Sequence, residues 1–266
     1  MNRRWLGYLV FGVVAYLVFL VATVPASWLA WGLRQLTDGI VAIDQGQGSL
    51  WHGTGRLIVY HPRATARDLG KTEWRINPLW LPAARLQLYL QAIGSESKIT
   101  GKIGVTPSKI IIQDSRVSAS AQFASELYAP AKLLSPKGQL RLDAKQLTLE
   151  RSGVQGNAQL FWNNAGSGLS SVQPLGDYRV DVTGKGESAV LKLTTLRGAL
   201  EVNGQGRWQI LKGGELQLNG FARAKTRTQE LEPLLKLLGR SRGGGRRSFR
   251  LKTRLALPFG PSTPSP

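Results

Sequence analysis

Across residues 85–224 apolar and polar side chains alternate with a period of two, and glycine, proline or asparagine interrupts the alternation at short intervals. An extended strand points successive side chains to opposite faces, so this period gives each segment one apolar and one polar face; a helix needs a period near 3.6. Leu86, Leu88 and Leu90 oppose Arg85, Gln87, Tyr89 and Gln91. The pattern recurs over 97–105, 109–118, 139–144, 146–150, 154–162, 177–183, 189–194, 196–203, 206–211 and 215–224, and 248–257 offers a last strand. The series predicts a mainly β fold built as a long antiparallel meander. Its one-sided apolar face requires the sheet to curl, to pack on a second layer or to bury that face elsewhere. Two stretches depart from period two. Residues 118–134 are alanine-rich, with Phe123, Leu127 and Tyr128 at helical spacing up to Pro130. Residues 228–238 carry Leu231, Leu234, Leu235 and Leu238, with Glu230 and Glu232 near the start and Gly239 after the end, which are helix start and stop signals.

Ahead of the strands, residues 5–24 form an uncharged apolar run of about twenty residues, enough to cross a hydrocarbon core as a helix. Arg3 and Arg4 precede it and favour a cytoplasmic N-terminus with the rest of the chain on the far side. Val24 and Ala26 also suit cleavage of a signal peptide, but the run is longer than a usual signal core, so a retained anchor is expected. Its anchoring residues are Trp5, Leu9, Tyr16, Phe19 and Trp28. Residues 27–36 read as a short amphipathic helix at the membrane surface. The expected organisation is a cytoplasmic N-terminus and anchor over 1–26, a juxtamembrane helix or linker over 27–38, a β domain over 39–257 and a disordered proline-rich tail over 258–266.

Residues 46–90 hold four of the eight tryptophans. Gly48-Ser49-Leu50-Trp51-His52-Gly53 and Trp74-Arg75-Ile76-Asn77-Pro78 each join a bulky ring to a turn-forming residue, the signature of a covered corner at a strand end. Residues 39–60 read as a hairpin punctuated by Gly46, Gly48, Gly53 and Gly55, and Asn77-Pro78 should stop the strand over 72–76. Trp51 and Trp74 are expected to be structural and largely buried.

The anchor ending in Pro25-Ala26, the corner with Leu50, Trp51 and Gly53, and the phrase with Trp74, Pro78 and Leu81 occur in an order that resembles protein N of the bacterial type II secretion system. So do Phe161-Trp162-Asn163-Asn164-Ala165, Leu175-Gly176-Asp177-Tyr178, the glycine-bearing segment 196–208 and Leu234 to Gly239. The resemblance covers nearly the whole chain. It implies an N-terminal transmembrane helix followed by one large, strongly curved antiparallel β-sheet, an AsmA-like groove, with a few short helices. It also implies an inner-membrane, single-pass component with its C-terminal domain in the periplasm, contributing to export of folded proteins through contacts with other platform proteins. The alternative is a periplasmic lipid-binding or lipid-transfer module of AsmA-like type. The basic stretch 240–247 stands where the family has a short turn; its Arg240, Arg242, Arg246 and Arg247 are candidate headgroup contacts.

The residues offer little chemistry for an enzyme. Cysteine is absent and the two histidines, His52 and His61, lie in one hairpin without further ligands, so neither catalysis nor a metal or other cofactor is expected. Asp143, Glu150, Asp181, Glu187 and Glu201 fall on polar strand faces, and the glycine clusters near 153–156, 166–168 and 204–206 read as hairpin turns. The net charge of +19 calls for a partner or surface that tolerates positive charge. It is spread along the chain with the aromatics beside turn residues, which points to membrane, lipid or protein and away from nucleic acid.

Overall fold

The computed structural model describes residues 3–61, 64–127, 134–150, 152–211, 213–238, 240–241 and 245–254. The chain divides into two compact units, Met1–Gly94 and Ser95–Pro266. Within each unit the described strand pairings are antiparallel and follow chain order, except that in the second unit the last strand takes its place before the short one preceding it.

The first unit holds α1 (Arg3–Ala22), α2 (Ser27–Leu36), β1 (Val41–Gly48), β2 (His52–His61), β3 (Ala64–Asn77), a 3-10 helix (Pro78–Ala83) and β4 (Leu86–Ile93). Period two is realised in β3, where Thr72, Trp74 and Ile76 are buried and Lys71, Glu73 and Arg75 exposed. The strand stops at Asn77 as expected. The Asn77 side chain accepts the Leu79 N–H at 3.1 Å, and Pro78 supplies a fixed φ for the helical turn. The expected hairpin over 39–60 is present, but its glycines are mostly not the turn. Gly46 and Gly48 lie in β1 and Gly53 and Gly55 in β2; only residues 49–51 connect the strands. Among the described residues no helix is long and apolar enough to cross a membrane. The span expected over 5–24 is a helix to Ala22, and the side chains of Trp5, Val10, Leu17 and Val18 lie outside the described residues.

The second unit holds β5 (Ser97–Val105), β6 (Lys109–Ser120), α3 (Ala121–Leu127), β7 (Pro136–Glu150), β8 (Gly153–Ser167), β9 (Gly176–Gly186), β10 (Ser188–Gly198), β11 (Leu200–Gln209), β12 (Glu215–Ala224), α4 (Thr228–Leu238), β13 (Arg240–Ser241) and β14 (Arg247–Arg254). Segments 139–144 and 146–150 are one strand, β7, carried through a register shift between Ala144 and Gln146. Likewise 196–203 and 206–211 are not two strands: residues 196–198 complete β10, and the glycines at 204 and 206 lie inside β11. Gly153, at a φ of +131°, is the residue with which β8 begins, opposite Glu150 at the end of β7, so it borders the expected turn, whereas Gly156 lies inside β8. β6 runs to Ser120 before α3 begins, and Tyr128 and Pro130 fall outside the described residues, as does the tail over 258–266.

Directly opposed residues share a face of the sheet, so the register defines the two surfaces of this unit. One carries Val117, Leu142, Leu160, Val180 and Leu193 in a line from β6 to β10. Its end at β11 and β12 is covered by α4: Leu231, Leu234 and Leu235 bury against Leu200 and Ala222, with Val172 and Leu175 closing the side. This sheet is open and not strongly curled, which corrects the strongly curved groove implied by the resemblance. One end of the apolar face is hidden by a helix, and Val117 and Leu142 further along remain partly exposed, so burial there does not come from bending the sheet onto itself.

Candidate functional site

Gly48 has a positive φ of +94°, and a side chain there would run into the His52 carbonyl, so glycine opens the turn into residues 49–51. Ser49 N–H donates to His52 O at 3.0 Å and Ser49 Oγ accepts from His52 N–H at 3.2 Å, which closes it. The turn then grips the helices. A helix leaves its last carbonyls without intrahelical partners. Here Trp51 Nε1–H donates to Val21 O at 2.7 Å and Leu50 N–H to Val24 O at 2.8 Å, just past the end of α1. Ala26 N–H returns a bond to Gly48 O at 3.3 Å, and Pro25 bridges Ser49.

Trp74 supports this corner from beneath. It is wholly buried, lies directly opposite Gly53, and its Nε1–H is shared between Ser49 O at 3.3 Å and Leu50 O at 3.2 Å. A Cβ at Gly53 would overlap the indole, so the glycine is there to let the ring lie against the backbone. Trp51 O accepts Ile76 N–H at 2.7 Å. Trp51 itself is half-buried, less than expected, because its ring spans from the sheet to α1 and is not enclosed by the core. Leu50 is half-buried too, while Pro78 and Leu81 are exposed. Trp162 belongs to the second unit, where Nε1–H donates to Lys137 O at 2.9 Å and the ring lies 6.0 Å from Tyr178. The anchor residues Leu9, Tyr16, Phe19 and Trp28 are exposed, and the Trp5 side chain lies outside the described residues. Sequence reasoning missed Val21, Val24 and Pro25 as the corner's partners; the one local signal was a proline closing the apolar run.

The polar face of the second unit contains a shallow hollow of about 650 Å³ lined by Thr100, Asp114, Arg116, Asp143, Lys145, Gln159 and Asp181. Its inner carboxylates are already engaged. Asp143 accepts from Arg116 Nε at 2.6 Å and lies 3.1 Å from Arg141 Nε, and Asp181 accepts from Arg179 at 3.0 Å and from Gln159 at 2.8 Å. The inner part of the hollow is therefore a set of charge pairs, with Asp143 between Arg116 and Arg141 and Asp181 beside Arg179. Nearby, buried Asp177 accepts the Asn164 N–H at 2.7 Å and pairs with Arg197. Burial pushes its carboxyl upward, but the Asn164 and Arg197 bonds together outweigh that and leave it below the usual range. Tyr178 donates to Leu200 O at 2.8 Å; burial first, and then the Asp177 charge, push its phenol upward. Among the described residues no three His, Cys, Asp or Glu side chains gather as a metal site; His52 is exposed and the His61 side chain lies outside the described residues.

The basic stretch is more structured than its glycines suggest. Arg240 and Ser241 pair with Ser248 and Arg247 as a two-residue ladder. The Arg247 guanidinium is bound to Glu232 of α4 at 2.5 Å, and Arg246 stacks over the Phe221 ring at 5.1 Å. Arg247 is therefore a structural ion pair, not a free headgroup contact, while Arg246 stays exposed; the Arg240 side chain and Arg242 lie outside the described residues.

Compared with known proteins, the chain matches the family model of type II secretion system (T2SS), protein N, over residues 40–250. No curated protein and no solved structure matches it.

Proposed function

The chain belongs to the protein N family of the type II secretion system, and from that premise we propose that it is an inner-membrane component whose periplasmic domain serves export of folded proteins through contacts with other platform proteins. The observation that carries this reading is the family match across both units. Placement in the membrane is supported by α1, whose Tyr8, Phe11, Tyr16 and Phe19 are all exposed, and by Arg3 and Arg4 before the run. Exposed Trp28 and Trp31 on α2 suit an interfacial belt. The corner at Gly48–Gly53 then joins anchor to sheet through Trp51 and Leu50. Work by position and contact, without catalysis, is consistent with carboxylates that are already paired.

The test removes the chain from a secreting cell and restores it, measuring exported protein and co-purification of the full chain with inner-membrane platform subunits. Restored secretion together with co-purification supports the proposal. Unimpaired secretion, with the purified chain carrying acyl chains by mass spectrometry, would replace it with the lipid-carrier reading.

A further inference from the structure

The connection between β3 and β4 is apolar where turns are ordinarily polar. Residues 78–83 read Pro-Leu-Trp-Leu-Pro-Ala, and Leu79, Trp80 and Leu81 are 83%, 42% and 37% exposed. By contrast β5 and β6 are joined by Thr106-Pro107-Ser108, and β4 is followed by Gly94-Ser95-Glu96. Large apolar side chains that a fold holds out into solvent together mark a surface that meets something apolar.

This turn has its shape before it meets anything. Pro78 and Pro82 fix φ, Asn77 Oδ1 accepts the Leu79 N–H at 3.1 Å, and Ala84 closes the turn at a φ of +52°. Much of its backbone is also satisfied from within. The two prolines have no N–H, Trp80 O accepts from Arg85 N–H at 3.0 Å, and Leu81 O accepts from Ala84 N–H at 2.8 Å. Leaving water therefore costs this segment less than it costs an open loop, whose polar groups would go unpaired.

The turn stands beside the end of α1. β2 begins and β3 ends on the same side of the first unit, where His52 lies opposite Arg75 and Ile76 N–H donates to Trp51 O. Residues 78–83 are thus neighbours of the turn over 49–51, about 10 Å away at two strand spacings. That turn holds the Val21 and Val24 carbonyls. Exposed Arg75 and Arg85 flank the apolar residues, and the sequence has no carboxylate between Glu73 and Glu96. The pattern suits an anionic bilayer, with tryptophan at headgroup level, leucines below it and arginines on the phosphates.

We infer that Leu79, Trp80 and Leu81 form a membrane-inserting turn, which enters the interface of an anionic bilayer beside α1. A single helix leaves the sheet free to swing about it; a second attachment fixes the tilt of the first unit on the membrane. The inference rests on the membrane placement proposed above, and its test reads the anchor and the turn separately.

The chain has no cysteine, so single cysteines can carry a label at chosen sites. Leu79→Cys, Val14→Cys in α1 and Lys71→Cys are each labelled with an environment-sensitive nitrobenzoxadiazole group. All three side chains are exposed, so the label displaces no packing. The full chain is reconstituted in vesicles of phosphatidylcholine and phosphatidylglycerol containing lipids brominated either near the headgroups or deep in the acyl chains. The label at 79 should be quenched more by shallow bromine and the label at 14 more by deep bromine. The label at 71, about 20 Å back along β3, should be quenched by neither. Quenching at 14 with none at 79 overturns the inference and leaves the anchor standing, whereas quenching at neither site removes both. Quenching at 79 no greater than at 71 also overturns it. So does a blue-shifted label at 79 that bromine does not quench, since the turn would then lie against protein.

Discussion

Trp74→Ala is the most searching perturbation of the corner that joins helices and sheet in the first unit. The side chain is wholly buried and its ring fills the space left by Gly53. Emptying a buried aromatic site costs about 3–5 kcal/mol, a large part of the roughly 5–15 kcal/mol that holds a domain together. The Ser49 and Leu50 carbonyls lose their indole donor as well, but both residues are only half-buried and water can replace it. The same site can be loaded from the other side. Gly53→Ala places a Cβ against the indole, with Cε2 at 2.9 Å, and against Gln47 O at 2.5 Å, an overpacking worth about 1–3 kcal/mol. In the Trp74→Ala background the clash with the ring vanishes and the one with Gln47 O remains, so the double variant should be less destabilised than the sum by about 1 kcal/mol. Urea unfolding of the full chain in detergent, for the wild type, both single variants and the double, measures the cycle. A Trp74→Ala protein within about 0.5 kcal/mol of wild type, the range of an ordinary surface change, or strict additivity of the pair, would refute the packing argument.

Trp51→Phe keeps the ring but removes the donor to Val21 O, so amide exchange at Leu50, which donates to Val24 O, should quicken while that at Ile76 changes little; equal rates would show that the indole bond does not hold α1. Asp177 has a carboxyl pKa below its unfolded value of about 3.9, so its stabilisation is complete above that value and fades as pH falls through the folded pKa. Acid denaturation curves for wild type and Asp177→Asn should therefore converge at low pH and separate toward neutrality, and parallel curves would count against the pairing. A reporter fused after Pro266 that is active only when exported should be active, and cytoplasmic activity would reverse the orientation drawn from Arg3 and Arg4.

The alternation over 85–224 determined the class of fold on its own, because a period of two is written into consecutive residues and no distant partner is needed to read it. For the same reason β12 begins and ends at the expected residues, Glu215 and Ala224, and α4 fills Thr228–Leu238, bounded by local start and stop signals. Tertiary structure decided what local pattern cannot hold. The lack of a Cβ lets glycine serve either a turn or a close approach, and nothing local separates Gly48, which opens the turn at +94°, from Gly53, which yields its space to Trp74 twenty-one residues on. The basic stretch likewise reads as free until Glu232 and Phe221 arrive beside Arg247 and Arg246.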